Sequence, residues 1–175
     1  MRSLNVFMNG ECVGLWSYGP GEAHRFTYDQ KWIQSPACRS LSLSLPVSTS
    51  AEIRGEVVAN YFDNLLPDNE RIRKRLKSRY STKSDRAFDL LEAIGRDCVG
   101  AVQLLPTGSV PVGFDQIQYK PLDEAGVATL LRMTQGLPAY ETEAHRDFRI
   151  SIAGAQEKTA LLKIGKKWCL PTGAT

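Results

Sequence analysis

Apolar and polar positions alternate through the first part of the chain. Leu4, Val6 and Met8 occupy every second place up to Asn9-Gly10, and a second short run follows from Cys12 to Trp16. Asn-Gly supplies the positive φ angles that a tight turn between antiparallel strands requires, so the pattern predicts a hairpin. A third strand is predicted from His24 to Tyr28. A fourth is predicted from Leu41 to Leu45, where leucine and serine alternate before Pro46. Four short strands before residue 50 point to a small antiparallel barrel or curled sheet.

The period changes after Ser48. Val57, Val58, Tyr61, Phe62 and Leu65 recur at helical spacing up to Pro67. Asp68 or Asn69 is placed to cap a second helix running to Arg79. Ser84 is placed to cap a third, whose stripe is Ala87, Leu90, Leu91 and Ile94 and whose end is Gly95. These three helices are expected to cover one face of the sheet. Further along, Ala101–Leu105 reads as a strand, Pro106–Tyr119 as a connection, Asp123–Met133 as a helix and Thr134–His145 as a linker. Phe148–Ile152, Lys158–Ile164 and the segment after Gly165 read as strands. The fold class is therefore α+β, a small antiparallel sheet with packed helices followed by the start of a second sheet.

Composition narrows the functional classes. With 175 residues, 42% hydrophobic and 23% charged, the chain has the makeup of a packed domain and not of a disordered tail. Its 22 Lys and Arg against 19 Asp and Glu give a net charge of only +3, so charge is informative only where it clusters. The cluster lies between Asn69 and Arg86, with eight basic residues against Glu70 and Asp85. Arg73, Lys74 and Lys77 are candidates for DNA or partner contact there; the bland alternative is a solvated helix face with Ile72 and Leu76 turned inward. Cys12, Cys38, Cys98 and Cys169 are too far apart for a metal or redox motif, and His24 and His145 are the only histidines. No metal site is expected, and the thiols are read as small apolar packers. The short apolar start is not a signal peptide and no window reaches membrane-spanning length, so a cytoplasmic protein with no membrane partner is expected. Asp63 and Asp89 are read as supports for helix ends or neighbouring loops.

The segment Ser151-Ile152-Ala153-Gly154-Ala155-Gln156-Glu157-Lys158-Thr159 joins two predicted strands. Its small residues allow backbone amides to approach a phosphate, although the spacing is not that of a Walker loop; a plain hairpin turn is the alternative.

Several strings resemble the N-terminal part of HipA-type serine/threonine kinases, the toxins of bacterial toxin–antitoxin modules. They are Arg39 to Pro46, Phe62 to Asp68, Phe88 to Leu91, Ile94 to Asp97 with Val99 to Val102, and Asp147 to Ser151 running into Ala153 to Leu162. The resemblance implies an N-terminal subdomain over residues 1–106, a connection with a short helix over 107–145, and the truncated start of a kinase-like lobe over 146–175. It implies that Ser151 is the autophosphorylated serine, and that Ile152, Ala153, Gly154, Ala155, Gln156 and Glu157 form the loop over the ATP phosphates, with Val99 lining the nucleotide site. Ile152 stands where valine is commoner. The family's ATP-binding lysine, catalytic aspartate and metal-binding residues are expected beyond position 175, so no catalytic residue is assigned here and ATP with Mg2+ is expected for the complete kinase. Implied partners are a HipB-like helix-turn-helix antitoxin, operator DNA held mainly through that antitoxin, the remaining C-terminal kinase domain, and a substrate such as an aminoacyl-tRNA synthetase. The alternative is a standalone, non-catalytic regulatory module that pairs with an antitoxin or a separate kinase lobe.

Overall fold

The computed structural model describes residues 1–48, 52–96, 98, 101–113, 115–134 and 159–172. Strands β1 (Arg2–Met8) and β2 (Glu11–Tyr18) form the expected hairpin. Asn9 at φ 50° and Gly10 at φ 84° make its turn, the left-handed pair that Asn-Gly accommodates at low cost. β3 (His24–Tyr28) pairs with β2, and β5 (Val102–Pro106) pairs with the other side of β1. The order of the sheet is β4-β3-β2-β1-β5, with β4 at Glu52–Arg54. It is an open antiparallel sheet with two edges, so the α+β class holds and no barrel closes. Part of the β5 edge is covered by the turn before it, where Leu104 donates its N–H to Gly95 O at 2.6 Å and Cys98 donates to Val102 O at 3.1 Å.

Registry puts Leu4, Trp16, Phe26 and Ile53 in one row across the sheet, with Val6 and Leu104 beside it. Helices α2 (Glu56–Asp63) and α4 (Ala87–Ile94) lie against β3 and β5, and α3 (Glu70–Tyr80) packs mainly on α4. Between sheet and helices, Trp16 stacks on Phe62 with ring centroids 3.9 Å apart and meets Phe88 at 4.8 Å. Of the two cap candidates, Asp68 and Asn69, it is Asn69 that caps α3, accepting the Arg71 N–H at 2.9 Å. The cap position of α4 is Arg86; Ser84 sits two residues earlier, where its hydroxyl accepts the Arg86 N–H.

Leu41–Leu45 is not a strand. Ser42 and Leu45 form an isolated bridge closed by a turn in which Leu45 N–H meets Ser42 O at 3.1 Å, and Ser42 Oγ accepts the Ser44 N–H at 2.9 Å. Serine side chains compete with sheet ladders for backbone groups, and here that local bonding wins. Leu41 and Leu45 are buried while Leu43, at the turn tip, is fully exposed. The Tyr28 hydroxyl pins both ends, accepting from Leu41 N–H at 2.8 Å and donating to Leu45 O. The fourth strand of the sheet is β4, inside the stretch assigned to the helical period. A short helix, α1 (Gln30–Gln34), capped by Asp29, also falls where no helix is predicted.

A second sheet has the order β6-β8-β7, from Gln118–Leu122, Lys167–Thr172 and Leu162–Ile164. Helix α5 (Glu124–Thr134) follows β6. Pro171 is tolerated in the middle strand because β7 pairs only with Lys167 to Cys169, which leaves Pro171 bonded on one side.

Candidate functional site

The predicted phosphate loop, Ile152 to Glu157, lies outside the described residues, as do Ser151, Val99 and His145. What is described is the framework on either side. Thr159 and Ala160, both half-buried, lead into the β7–β8 hairpin, which presents Lys163, Lys166 and Lys167 at its surface. The Lys163 ammonium lies 5.4 Å from the centre of the Trp168 ring, a cation–π distance.

Before Val99 the chain is anchored at Gly95, the residue that ends α4. This glycine donates to Leu91 O at 2.8 Å, and a Cβ on it would meet that same oxygen at 2.4 Å and Leu104 Cβ at 2.8 Å. Helix α4 and strand β5 thus approach to backbone distance, where Leu104 N–H also meets Gly95 O. Just before β5, Ala101 adopts φ 63° and its carbonyl accepts the Asn9 N–H at 3.4 Å.

The three basic candidates on α3 separate in the structure. Arg73 points inward, 15% exposed in its side chain, and donates to Asp63 Oδ1 at 2.6 Å, Asp63 Oδ2 at 2.9 Å and Pro67 O at 2.7 Å. It ties the end of α2 to α3, and hydrogen bonding to Asp63 raises its pKa further. Lys74 and Lys77 point to solvent; Lys74 makes a loose pair with Glu70 at 3.8 Å, both ends well exposed. Asp63 therefore supports a helix junction, as expected. Asp89 does likewise, receiving Arg2 Nη1 at 2.5 Å and the Ser84 hydroxyl at 2.5 Å. Burial opposes ionisation of Asp89, but these two donors outweigh it and hold its pKa below the ordinary value. Arg2 also reaches Glu92 and lies over the Phe88 ring at 4.6 Å, a clamp between β1 and α4 that spans some 90 residues and leaves no local signal in the sequence.

His24 proves structural. Its Nδ1 accepts the indole N–H of the buried Trp16 at 3.1 Å, and burial lowers its pKa. All four cysteines are free thiols; Cys38 and Cys98 pack against the core and Cys169 is buried. Among the described residues no cluster of metal-ligating side chains occurs, and no helix is long and apolar enough to cross a membrane.

An open antiparallel sheet with α2 and α4 laid on it, and α4 and β5 in close approach at Gly95, define an α+β domain. The chain belongs to the HipA N-terminal domain family, whose match runs over residues 4–105. Similarity to known proteins extends further. The Sinorhizobium fredii protein named "Putative kinase Y4mE" is 33% identical over 98% of this chain and 40% of its own length. The Shewanella oneidensis serine/threonine-protein kinase toxin HipA is 26% identical over 98% of this chain and 37% of its own length. The solved complex of Shewanella oneidensis HipA and HipB with operator DNA contains a chain that superposes with a TM-score of 0.68 at 24% identity, covering 98% of this chain and 38% of that one; it shows the shared fold. The chain thus spans about two fifths of the length of the relatives it matches.

Proposed function

We propose that this chain is the N-terminal part of a HipA-like, ATP-dependent serine/threonine kinase toxin of the cytoplasm, restrained by a helix-turn-helix antitoxin and regulated by phosphorylation of Ser151. The observation that carries this reading is the extent of the likeness: it runs past the matched family segment, through the loop region and into β7 and β8, in proteins named as kinases. Ile152 to Glu157 would lie over the ATP phosphates through backbone amides, Val99 would line the nucleotide, and the Mg2+-holding and proton-accepting groups would come from the rest of the kinase. A phosphate on Ser151 brings about −1.5 to −2 charges to the edge of a loop that must hold other phosphates. Repulsion then favours a loop turned away from the nucleotide, and activity stops. An aminoacyl-tRNA synthetase is the substrate the family suggests.

The test is ATP affinity in a kinase reconstituted to full length with this N-terminal part. Wild type and Ser151→Ala should agree within a few fold, and protein phosphorylated at Ser151 should lose about 1 to 3 kcal/mol of ATP binding. Equal affinity in phosphorylated and unphosphorylated protein overturns the switch, and the absence of ATP binding in the reconstituted protein overturns the kinase reading itself.

A further inference from the structure

Helix α3 is charged in a way that its own stability does not explain. The segment Asn69 to Arg86 carries eight cations and two carboxylates, which leaves fourteen cations and seventeen carboxylates elsewhere. The segment is therefore +6 and the rest of the chain −3. Within α3 the exposed residues are Glu70, Arg71, Lys74, Arg75, Lys77, Ser78 and Arg79, all charged except Ser78. Cations in the last turn, Lys77 and Arg79, complement the helix dipole. Arg71 and Lys74 do not, since they sit toward the positive end. Like charges also face one another at Arg71–Arg75 and Arg75–Arg79, four apart, and at Arg71–Lys74 and Lys74–Lys77, three apart, arrangements that weaken an isolated helix. Arg73 is removed from this set by its clamp on Asp63, and that clamp fixes the helix so that Arg71, Lys74 and Lys77 face outward together.

We infer that this outward face of α3 binds the phosphate backbone of a nucleic-acid duplex. The exposed face decides the class of partner. It has no aromatic or aliphatic side chain, so it lacks the apolar centre that a protein interface requires and the apolar stripe that an interfacial membrane helix inserts. It has no ring on which an unpaired base would stack, which argues against a single strand. Arg71 to Lys77 spans about 9 Å of helix axis. A duplex presents one negative charge per about 1.7 Å, dense enough to give each of the three cations its own phosphate. Contacts of this kind position a protein on DNA without reading its sequence. The inference goes beyond the kinase reading and stands without it, since it involves neither ATP nor an antitoxin.

Binding of the purified chain to a 30-base-pair duplex of arbitrary sequence, measured by anisotropy across a salt series from about 50 to 200 mM, tests it. Wild type should bind in the micromolar range at low salt. The Arg71→Gln/Lys74→Gln/Lys77→Gln variant, with its helical signal intact, should lose about 2 to 3 units of the slope of log affinity against log salt. Lys163→Gln/Lys166→Gln/Lys167→Gln removes equal charge from the β7–β8 hairpin and should leave the slope within about half a unit of wild type. Equal losses in the two variants would reduce the effect to net charge and overturn the assignment. So would an absence of duplex binding at low salt, or binding to polyglutamate or anionic vesicles in preference to DNA.

Discussion

The two sheets differ in how completely they bury what they present. In the five-stranded sheet Leu4, Val6, Val13, Trp16 and Phe26 are all fully buried, and Val58, Phe62 and Leu90 of the helices close on them. In the three-stranded sheet β6 is exposed over its first four residues, and Tyr119, Ile164 and Trp168 remain 42%, 38% and 44% exposed; burial is confined to Cys169, Leu170 and Pro171 of β8. Stability should therefore reside in the first sheet and its helices. The exposed residues of the second, unlike its buried Cys169 and Leu170, are free to change with little thermodynamic consequence, so their identities answer to what the sheet meets and not to what it packs.

The largest expected effect separates the two directly. Phe62→Ala empties a ring site stacked at 3.9 Å on Trp16 and 6.1 Å from Phe26, and should cost about 3 to 5 kcal/mol. Trp168→Ala removes a larger side chain from a half-exposed position and should cost about 1 kcal/mol. Urea unfolding of both variants is the measurement. Comparable losses would mean that the second sheet is as tightly built as the first, and the contrast would fail.

A second contrast lies within one helix. Arg73→Gln strips two carboxylate contacts and two carbonyl contacts from the α2–α3 junction; hydrogen bonds to charged groups contribute about 1.5 to 3 kcal/mol, reduced here because the Asp63 side chain is 46% exposed, so about 1 to 2 kcal/mol is expected. Lys74→Gln, one residue along, should change stability by less than about 0.5 kcal/mol. An Arg73→Gln variant as stable as Lys74→Gln would put Arg73 back among the surface cations.

Where a pattern is enforced by backbone geometry over neighbouring residues, it was readable. Asn9-Gly10, the alternation around it, the Asn69 cap and the stripe of α4 each carry their structural cause within a few positions. The Leu41–Leu45 alternation misled because period 2 is also what a serine-bonded turn produces when residues at its two ends are buried and the middle one is not. β4 and β6 were missed because three exposed or half-exposed residues, and a strand containing Pro121, have no pattern of their own and form only by pairing with β3 and β8. At the candidate site the cationic cluster was plain in the sequence, but composition does not say which cation points inward. Arg73 is drawn in by Asp63 ten residues away, just as Arg2 is drawn to Asp89 across the fold, and such pairs exist only once the helices have docked.

The smallest effect concerns pH and again belongs to the first sheet. Trp16 is fully buried, and its indole N–H needs an acceptor, which His24 Nδ1 supplies at 3.1 Å. That nitrogen accepts only while it carries no proton, and burial already lowers the His24 pKa. The unfolded chain takes up its proton near pH 6.5, while the folded chain resists until a lower pH. Below about 6.5 the unfolded state therefore binds more protons, and stability falls as the pH drops from there toward the folded pKa. Urea midpoints at about pH 7 and 5.5 should show this loss in wild type and in His145→Gln, which changes the only other histidine. His24→Gln should remove it, because a glutamine oxygen can accept the indole proton at either pH. If the pH dependence survives in His24→Gln, titration elsewhere produces it, and the first sheet is indifferent to the protonation of the one histidine bonded into its core.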